Sequence, residues 1–152
     1  MMTNNQIAVQ DLILDPNNPR FVHDFREENR IAEEDLVSSD ASTLARFSVR
    51  RASGKARPEI TYTSDLFDSI KNRGYQRVDQ VVARRIAGTD KFLVVEGNRR
   101  VSTVKKMLNM LDPNSPENPK DEEERTAISK IEPTLRQLPV YLVGEDGASK
   151  EQ

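Results

Sequence analysis

Residues 91–108 read KFLVVEGNRRVSTVKKML, a strand pattern that passes through one glycine into a helix pattern. Phe92 to Val95 is a short apolar run rich in β-branched residues, which predicts a strand covered on both faces. After Arg100 the apolar residues recur every three or four positions, which predicts a helix whose buried stripe is formed by Val101, Val104, Leu108 and Leu111. The helix residues that are predicted to face water are Lys105, Lys106 and Asn109.

The junction between the two patterns, Glu96 to Arg100, has the residues of an anion site. Gly97 permits a tight turn, and the first amides of a helix have no intrahelical acceptor. Arg99 and Arg100 add two planar forks that suit phosphate oxygens, and Glu96 beside them is a candidate metal or water ligand. The alternative is that Gly97 is only a turn residue and that the arginines form a solvated first turn, in which Glu96 pairs with one of them.

The motif Val95-Glu96-Gly97-Asn98-Arg99-Arg100, followed by Val-x-x-Val-Lys, resembles the central motif of the ParB/sulfiredoxin superfamily. That motif reads Gly-Glu-Arg-Arg in partition proteins and Gly-Cys-His-Arg in sulfiredoxins. The chain is similar to ParB N-terminal-domain proteins, also called ParB-like nuclease domains, of the Val-Glu-Gly-Asn-Arg-Arg type. Three further segments agree in the same order, namely residues 12–20, 66–75 and 138–143.

The resemblance implies an α+β fold, in which a small mixed sheet packs with helices and a nucleotide binds at the strand-to-helix turn. It implies that a nucleoside triphosphate, CTP as in partition proteins or ATP as in sulfiredoxins, is bound together with Mg²⁺. Glu96 is then the candidate catalytic carboxylate and magnesium ligand. The residues expected to bind the phosphates are Gly97, Asn98, Arg99 and Arg100, with Asn18 and Arg20 from the loop after the first strand. Arg20 has the alternative of a surface arginine that closes a turn.

Length and composition fit one ordinary domain, residues 1–152, with a polar insertion at about 22–60 and a proline-rich linker at about 112–120. The 23 basic and 25 acidic residues leave a formal charge of -2, so any nucleic-acid binding must be local. The chain has no cysteine, and its one histidine, His23, leaves little for a multi-histidine metal site or a Ser-His-Asp arrangement. No apolar run approaches the roughly 20 residues of a membrane span, so we expect a cytoplasmic protein without a membrane partner.

The remaining pattern predicts the other elements of the domain. A first strand is expected over 7–14, with a bulge near residues 10–11, and a helix from Ser64 to Arg73 that Gly74 ends. Residues 22–60 are not expected in the core, although Leu44, Phe47 and Val49 suggest a modest helical face. Later elements are a strand over 78–84, a helix that opens at 121–125 and that Pro133 bends or ends, a strand over 138–143 and a polar tail from 144.

The segment Arg46 to Arg57 carries five cations, and two interpretations remain open. It is either a DNA-contacting arm that uses Arg50, Arg51 and Lys55, or a solvated loop. In partition proteins a helix-turn-helix reader and a dimerisation domain follow the resembled domain, and this chain has no room for either. We therefore expect either a fragment of a longer protein or a stand-alone domain, and we consider a homodimer as a further partner.

Three functions are compatible with these residues. The first is a nucleotide-binding module in a DNA-associated system. The second is an enzyme, either a nuclease or an NTP hydrolase, in which Glu96 would be the catalytic carboxylate. Asn98 stands where partition proteins have glutamate, so metal binding and turnover are both in question. The third is a protein-interaction domain without a ligand.

Overall fold

The structure, a computed structural model, describes residues 3–18, 30–51, 54, 57, 59–75 and 80–144. Within these ranges the chain forms seven strands and four α-helices. The strands are β1 (Thr3–Ala8), β2 (Leu12–Ile13), β3 (Phe47–Ser48), β4 (Thr61–Tyr62), β5 (Val82–Arg85), β6 (Phe92–Glu96) and β7 (Gln137–Leu142). The helices are α1 (Asp40–Leu44), α2 (Ser64–Arg73), α3 (Asn98–Met110) and α4 (Glu122–Leu135). None of the helices in these ranges combines the length and the apolar character needed to cross a membrane.

Five strands form one mixed sheet in the order β1-β7-β5-β6-β2. The pairs β1·β7 and β5·β6 are antiparallel, whereas β5·β7 and β2·β6 are parallel. Strands β3 and β4 form a separate parallel pair. Strand β6 therefore lies between its hairpin partner β5, the central strand, and the short edge strand β2.

Strand β6 divides its side chains between two apolar clusters, because successive residues of a strand point to opposite faces of the sheet. Phe92 and Val94 belong to the large cluster, which includes buried residues of α2, α3 and α4. Leu93 belongs to a small cluster with Ile13, Leu36 and Ile86. The predicted α+β class with a mixed sheet is confirmed, and the assignment to a particular family of fold remains a prediction.

Helix α2 and the start of α4 agree with the sequence pattern almost to the residue. Helix α2 ends at Arg73 because Gly74 follows with a φ of 77°, a conformation that favours glycine. Helix α4 begins after Asp121, whose carboxylate accepts the amide of Glu123 at 2.9 Å. Pro133 does not end the helix, because α4 continues past it to Leu135, so the expected end at this proline is wrong.

The single strand predicted over 7–14 is wrong. The chain leaves β1 in a 3-10 turn, Val9–Asp11, and then forms β2. Because β1 pairs with β7 and β2 pairs with β6, the turn carries the chain from one edge of the sheet to the other. The bulge expected near residues 10–11 is thus a change of partner strand.

The expectation that residues 22–60 stay out of the core is wrong for three side chains. Leu36, Phe47 and Val49 are 2%, 2% and 5% exposed. Phe47 also lies on β3 and not on a helix, because α1 ends at Leu44. A short segment can bury apolar residues in this way when tertiary contacts, and not helical periodicity, select them.

Lys105 is buried, although the helical periodicity predicts that it faces water. Its ammonium group donates to the Asp40 carboxylate at 3.1 Å and to the Val9 carbonyl at 3.2 Å. Of the other two polar positions, Lys106 is half-buried and pairs with Glu117 at 3.2 Å, and Asn109 is exposed as predicted. The periodicity of α3 cannot show that α1 and the Val9–Asp11 turn cover one side of the helix.

Glu33 connects residues 33–36, which contribute Leu36 to the small cluster, to the β5–β6 hairpin. Its two carboxylate oxygens each accept from the Arg84 guanidinium at 2.8 Å, and one of them also accepts the Ala87 amide at 3.0 Å. These hydrogen bonds, those from Arg84 first, lower the pKa of the Glu33 carboxyl from 4.5 to about 2. The charged form of Glu33 is therefore preferred in the folded state.

This preference predicts an acid-dependent loss of stability. A depressed folded pKa gives a contribution that is complete above pH 4.5 and is lost as the pH falls toward about 2. Because the pair is partly exposed, we expect Glu33→Gln to lower the free energy of unfolding at pH 7 by about 1 kcal/mol or less. Urea unfolding between pH 2 and 7 should show a flatter acid limb for Glu33→Gln, whereas the exposed neighbour variant Glu34→Gln should keep the original slope. Equal slopes for the natural chain and Glu33→Gln would contradict the assignment.

Candidate functional site

Gly97 is required at the junction by its backbone conformation and by its neighbours. Its φ of 101° and ψ of 20° lie in the left-handed region. A Cβ atom at this position would stand 3.1 Å from a methyl carbon of Val81 and 3.3 Å from the carbonyl oxygen of Gln80. The turn into α3 is therefore held against the start of β5 as closely as a glycine allows.

Asn98 is buried and connects this turn to the loop after β2. Its side-chain amide donates to the Val94 carbonyl at 3.0 Å, and its side-chain oxygen accepts the Asp15 amide at 2.9 Å. Both ends of the side chain are thus bonded within the protein. The structure gives Asn98 a positioning role, and its predicted contact with phosphate remains a prediction.

The two arginines of the junction differ in exposure. The Arg99 side chain is 34% exposed and reaches the Asp65 carboxylate, in the first turn of α2, at 3.2 Å. Arg100 is only 7% exposed, and its guanidinium carbon lies 5.6 Å from the centre of the Tyr75 ring. Arg99 is therefore the more accessible cation, and Arg100, the next residue in the chain, adds a buried positive charge.

Glu96 ends β6 on the solvent side of the junction. Its side chain is exposed, and its Cα pairs in register with Val82 of β5. Among the described residues, no three or more His, Cys, Asp or Glu side chains form a group that could hold a metal ion. A metal ion at this position would thus need ligands from outside that part of the protein, such as phosphate oxygens.

The loop Asp15 to Asn18 is fixed by its own side chains. The Asp15 carboxylate accepts the Asn17 amide at 2.9 Å, and the Asn18 amide donates to the Asp15 carbonyl at 3.3 Å. The Asn17 side chain binds both the amide and the carbonyl of Ile31, at 2.9 and 3.1 Å. Asn18 is half-buried in this loop, and Arg20 lies outside the described residues.

A polar cavity of about 570 Å³ lies beside this loop on the sheet face of Leu93. Its lining includes Asp15, Arg84 and the exposed side chain of Val95. Burial raises the pKa of the Asp15 carboxyl, and the hydrogen bond from the Asn17 amide with the charges of Arg84 and Arg30 opposes this rise. The loop therefore borders the junction on one side and a charged cavity on the other.

Sequence reasoning overlooked two residues beside the junction, namely Asp15 and Asp65. Asp15 had a local signal, because the sequence Asp-x-Asn is typical of an Asx turn. Asp65 reaches Arg99 only through the packing of α2 against α3, which no spacing in the sequence reveals.

Two of the three candidate DNA contacts are held in ion pairs. The Arg50 guanidinium binds the Glu124 carboxylate through two hydrogen bonds of 3.1 and 2.8 Å, and Arg51 binds Asp68 at 3.0 Å. Lys55 lies outside the described residues. Contact with DNA remains a prediction, and it would require Arg50 to give up a carboxylate that is only 14% exposed.

No protein-family model matches the chain, and neither a curated protein nor a solved structure matches it. The motif resemblance therefore stays a prediction, and the geometry of the junction carries the functional argument.

The close approach at Gly97 gives a prediction with a built-in control. Gly97→Ala must place a side chain in the left-handed region and against the residue 80–81 backbone, which we expect to cost about 2 to 4 kcal/mol. Gly88→Ala is also left-handed, with a φ of 79°, but its Cβ would meet no atom within 4 Å, so its cost should be about 1 kcal/mol. Chemical denaturation measures both, and equal losses would show that the contact with Val81 is not tight.

Proposed function

We propose that this chain is a nucleotide-binding module of the ParB/sulfiredoxin type and that the start of α3 binds the triphosphate. The observation that carries the proposal is the charge pattern of that helix start. Gly97 has no side chain to cap the helix, the first turn contains no acidic residue, and Arg99 and Arg100 are both in it. Cations in a first turn oppose the helix dipole, and a bound anion removes that conflict.

Arg99 is suited to exchange its partner when nucleotide binds. Its pair with Asp65 is a surface ion pair, because the Asp65 side chain is 72% exposed, and such pairs contribute about 1 kcal/mol or less. A phosphate carries more charge and accepts two parallel bonds from a guanidinium. Arg99 would therefore leave Asp65 for the ligand at little cost.

Asn98 supports the site because it connects the loop after β2 to the end of β6 and the start of α3. The hydrogen bonds to Val94 and Asp15 fix the loop that carries Asn18 beside the helix start. In the proposed complex the nucleotide is CTP or ATP, and Mg²⁺ is held by its phosphate oxygens, with Glu96 as the nearest exposed carboxylate of the motif. Asn98 carries no charge and cannot take a proton from water, so the proposal is binding rather than rapid turnover.

The setting proposed for this module is a DNA-associated system in the cytoplasm. The absence of cysteine from the sequence fits a reducing compartment. The link to DNA rests on the resemblance to partition proteins alone.

Calorimetry with CTP and ATP in the presence of Mg²⁺ tests the proposal. Arg99→Ala should weaken binding, because charge-assisted hydrogen bonds to phosphate are worth about 1.5 to 3 kcal/mol, which is about tenfold to 150-fold in affinity. Arg136→Ala is the matched control, since Arg136 is likewise an ion-paired surface arginine but lies after α4. Arg100→Ala should also weaken binding, with a loss of stability because the side chain is buried.

Two results would count against this site. One is binding of neither nucleotide to the natural chain. The other is an affinity that Arg99→Ala leaves unchanged or that Arg136→Ala lowers equally.

A further inference from the structure

A second cavity, of about 500 Å³, lies along α3 away from the junction. It is an open cavity bordered by the Val9–Asp11 turn, α1, α3 and the start of β7, and its apolar side includes Leu44 and Leu108. Lys105, which lines it, is seven residues beyond Asn98, or about 10 Å along the helix axis. A volume of this size is in the range of pockets for small ligands.

Lys105 is the feature that makes this cavity more than a surface depression. Its side chain is only 10% exposed, and burial of an ammonium group is costly unless its donors are bonded. An ammonium has three N–H donors. Two of them go to the Asp40 carboxylate at 3.1 Å and the Val9 carbonyl at 3.2 Å, and within the described residues no acceptor takes the third.

The position of Asp40 is itself fixed. One of its oxygens accepts the Leu14 amide at 2.8 Å, and the other accepts from Lys105. The ammonium group is therefore held from two sides, by α1 and by the Val9–Asp11 turn, in a mixed polar cavity with one apolar side. This arrangement orients one donor before any ligand arrives, which reduces the cost of binding.

We propose that this cavity binds a small organic monocarboxylate, whose carboxylate accepts from Lys105 and whose short apolar body packs on Leu44 and Leu108. The Asp40 carboxylate repels any anion, and it repels a dianion such as a phosphate about twice as strongly as a monocarboxylate, which favours the single charge. Arg136 lines the cavity too, but it is paired with Glu132 at 2.5 Å, so it adds little net charge. The proposal is independent of nucleotide binding, since it rests on other residues.

The test uses hexanoate as the probe and hexanamide as its uncharged analogue. In an NMR titration of the full chain, hexanoate should shift the methyl signals of Leu44 and Leu108, with a dissociation constant on the order of 1 mM. Hexanamide should bind at least about tenfold more weakly, because it lacks the charge that strengthens the bond to Lys105.

Variants then test whether Lys105 is the residue that binds the carboxylate. Lys105→Met should abolish the preference for hexanoate, whereas Lys106→Met, which removes the neighbouring lysine paired with Glu117, should retain it. If Lys105→Met does not fold because Asp40 is left unpaired, Leu108→Ala decides, since it should weaken hexanoate binding several-fold with little effect on acetate. The proposal is wrong if hexanoate fails to bind, if hexanamide binds equally well, or if Lys106→Met loses the preference too.

Discussion

The buried side chain of Asn98 makes two hydrogen bonds on which the arrangement of the junction depends. One bond returns to Val94 in the strand before the turn, and the other reaches Asp15, which is 83 residues away in the sequence. A buried amide must satisfy its polar atoms, so these bonds fix the relative positions of β6, α3 and the loop after β2. Gly97 makes the geometry accessible, because only a glycine fits the left-handed turn against residues 80–81.

The position of positive charge follows from this constraint. Once α3 starts at Asn98, Arg99 and Arg100 must occupy its first turn, where the helix dipole is unfavourable to cations. The protein supplies Asp65 to one and the Tyr75 ring to the other. The pair of Arg99 with Asp65 is largely exposed and therefore weak, and the first turn of α3 has no acidic residue of its own, which is why a phosphate is the ligand that we propose.

Local signals in the sequence were sufficient for part of this description. Gly74 and Gly97 marked the end of α2 and the start of α3, and the apolar period of α3 identified Val101 and Val104 as buried. Two of the misses depend on distant partners. Lys105 is buried because it pairs with Asp40, which is 65 residues away in the sequence. The strand predicted over 7–14 divides because its first part pairs with β7 and its second part pairs with β6. Periodicity describes one element at a time, so it cannot report such contacts.

The most direct test of the central claim is an amide NMR titration of the chain with Mg²⁺-bound CTP and, separately, ATP. If the start of α3 binds the triphosphate, the largest shifts for one of the two nucleotides should be at the amides of Asn98, Arg99 and Arg100. The Asp15 amide should follow them through its hydrogen bond to Asn98. The account would be contradicted if both nucleotides left these amides unchanged, or if the shifts centred on the Lys105 cavity instead.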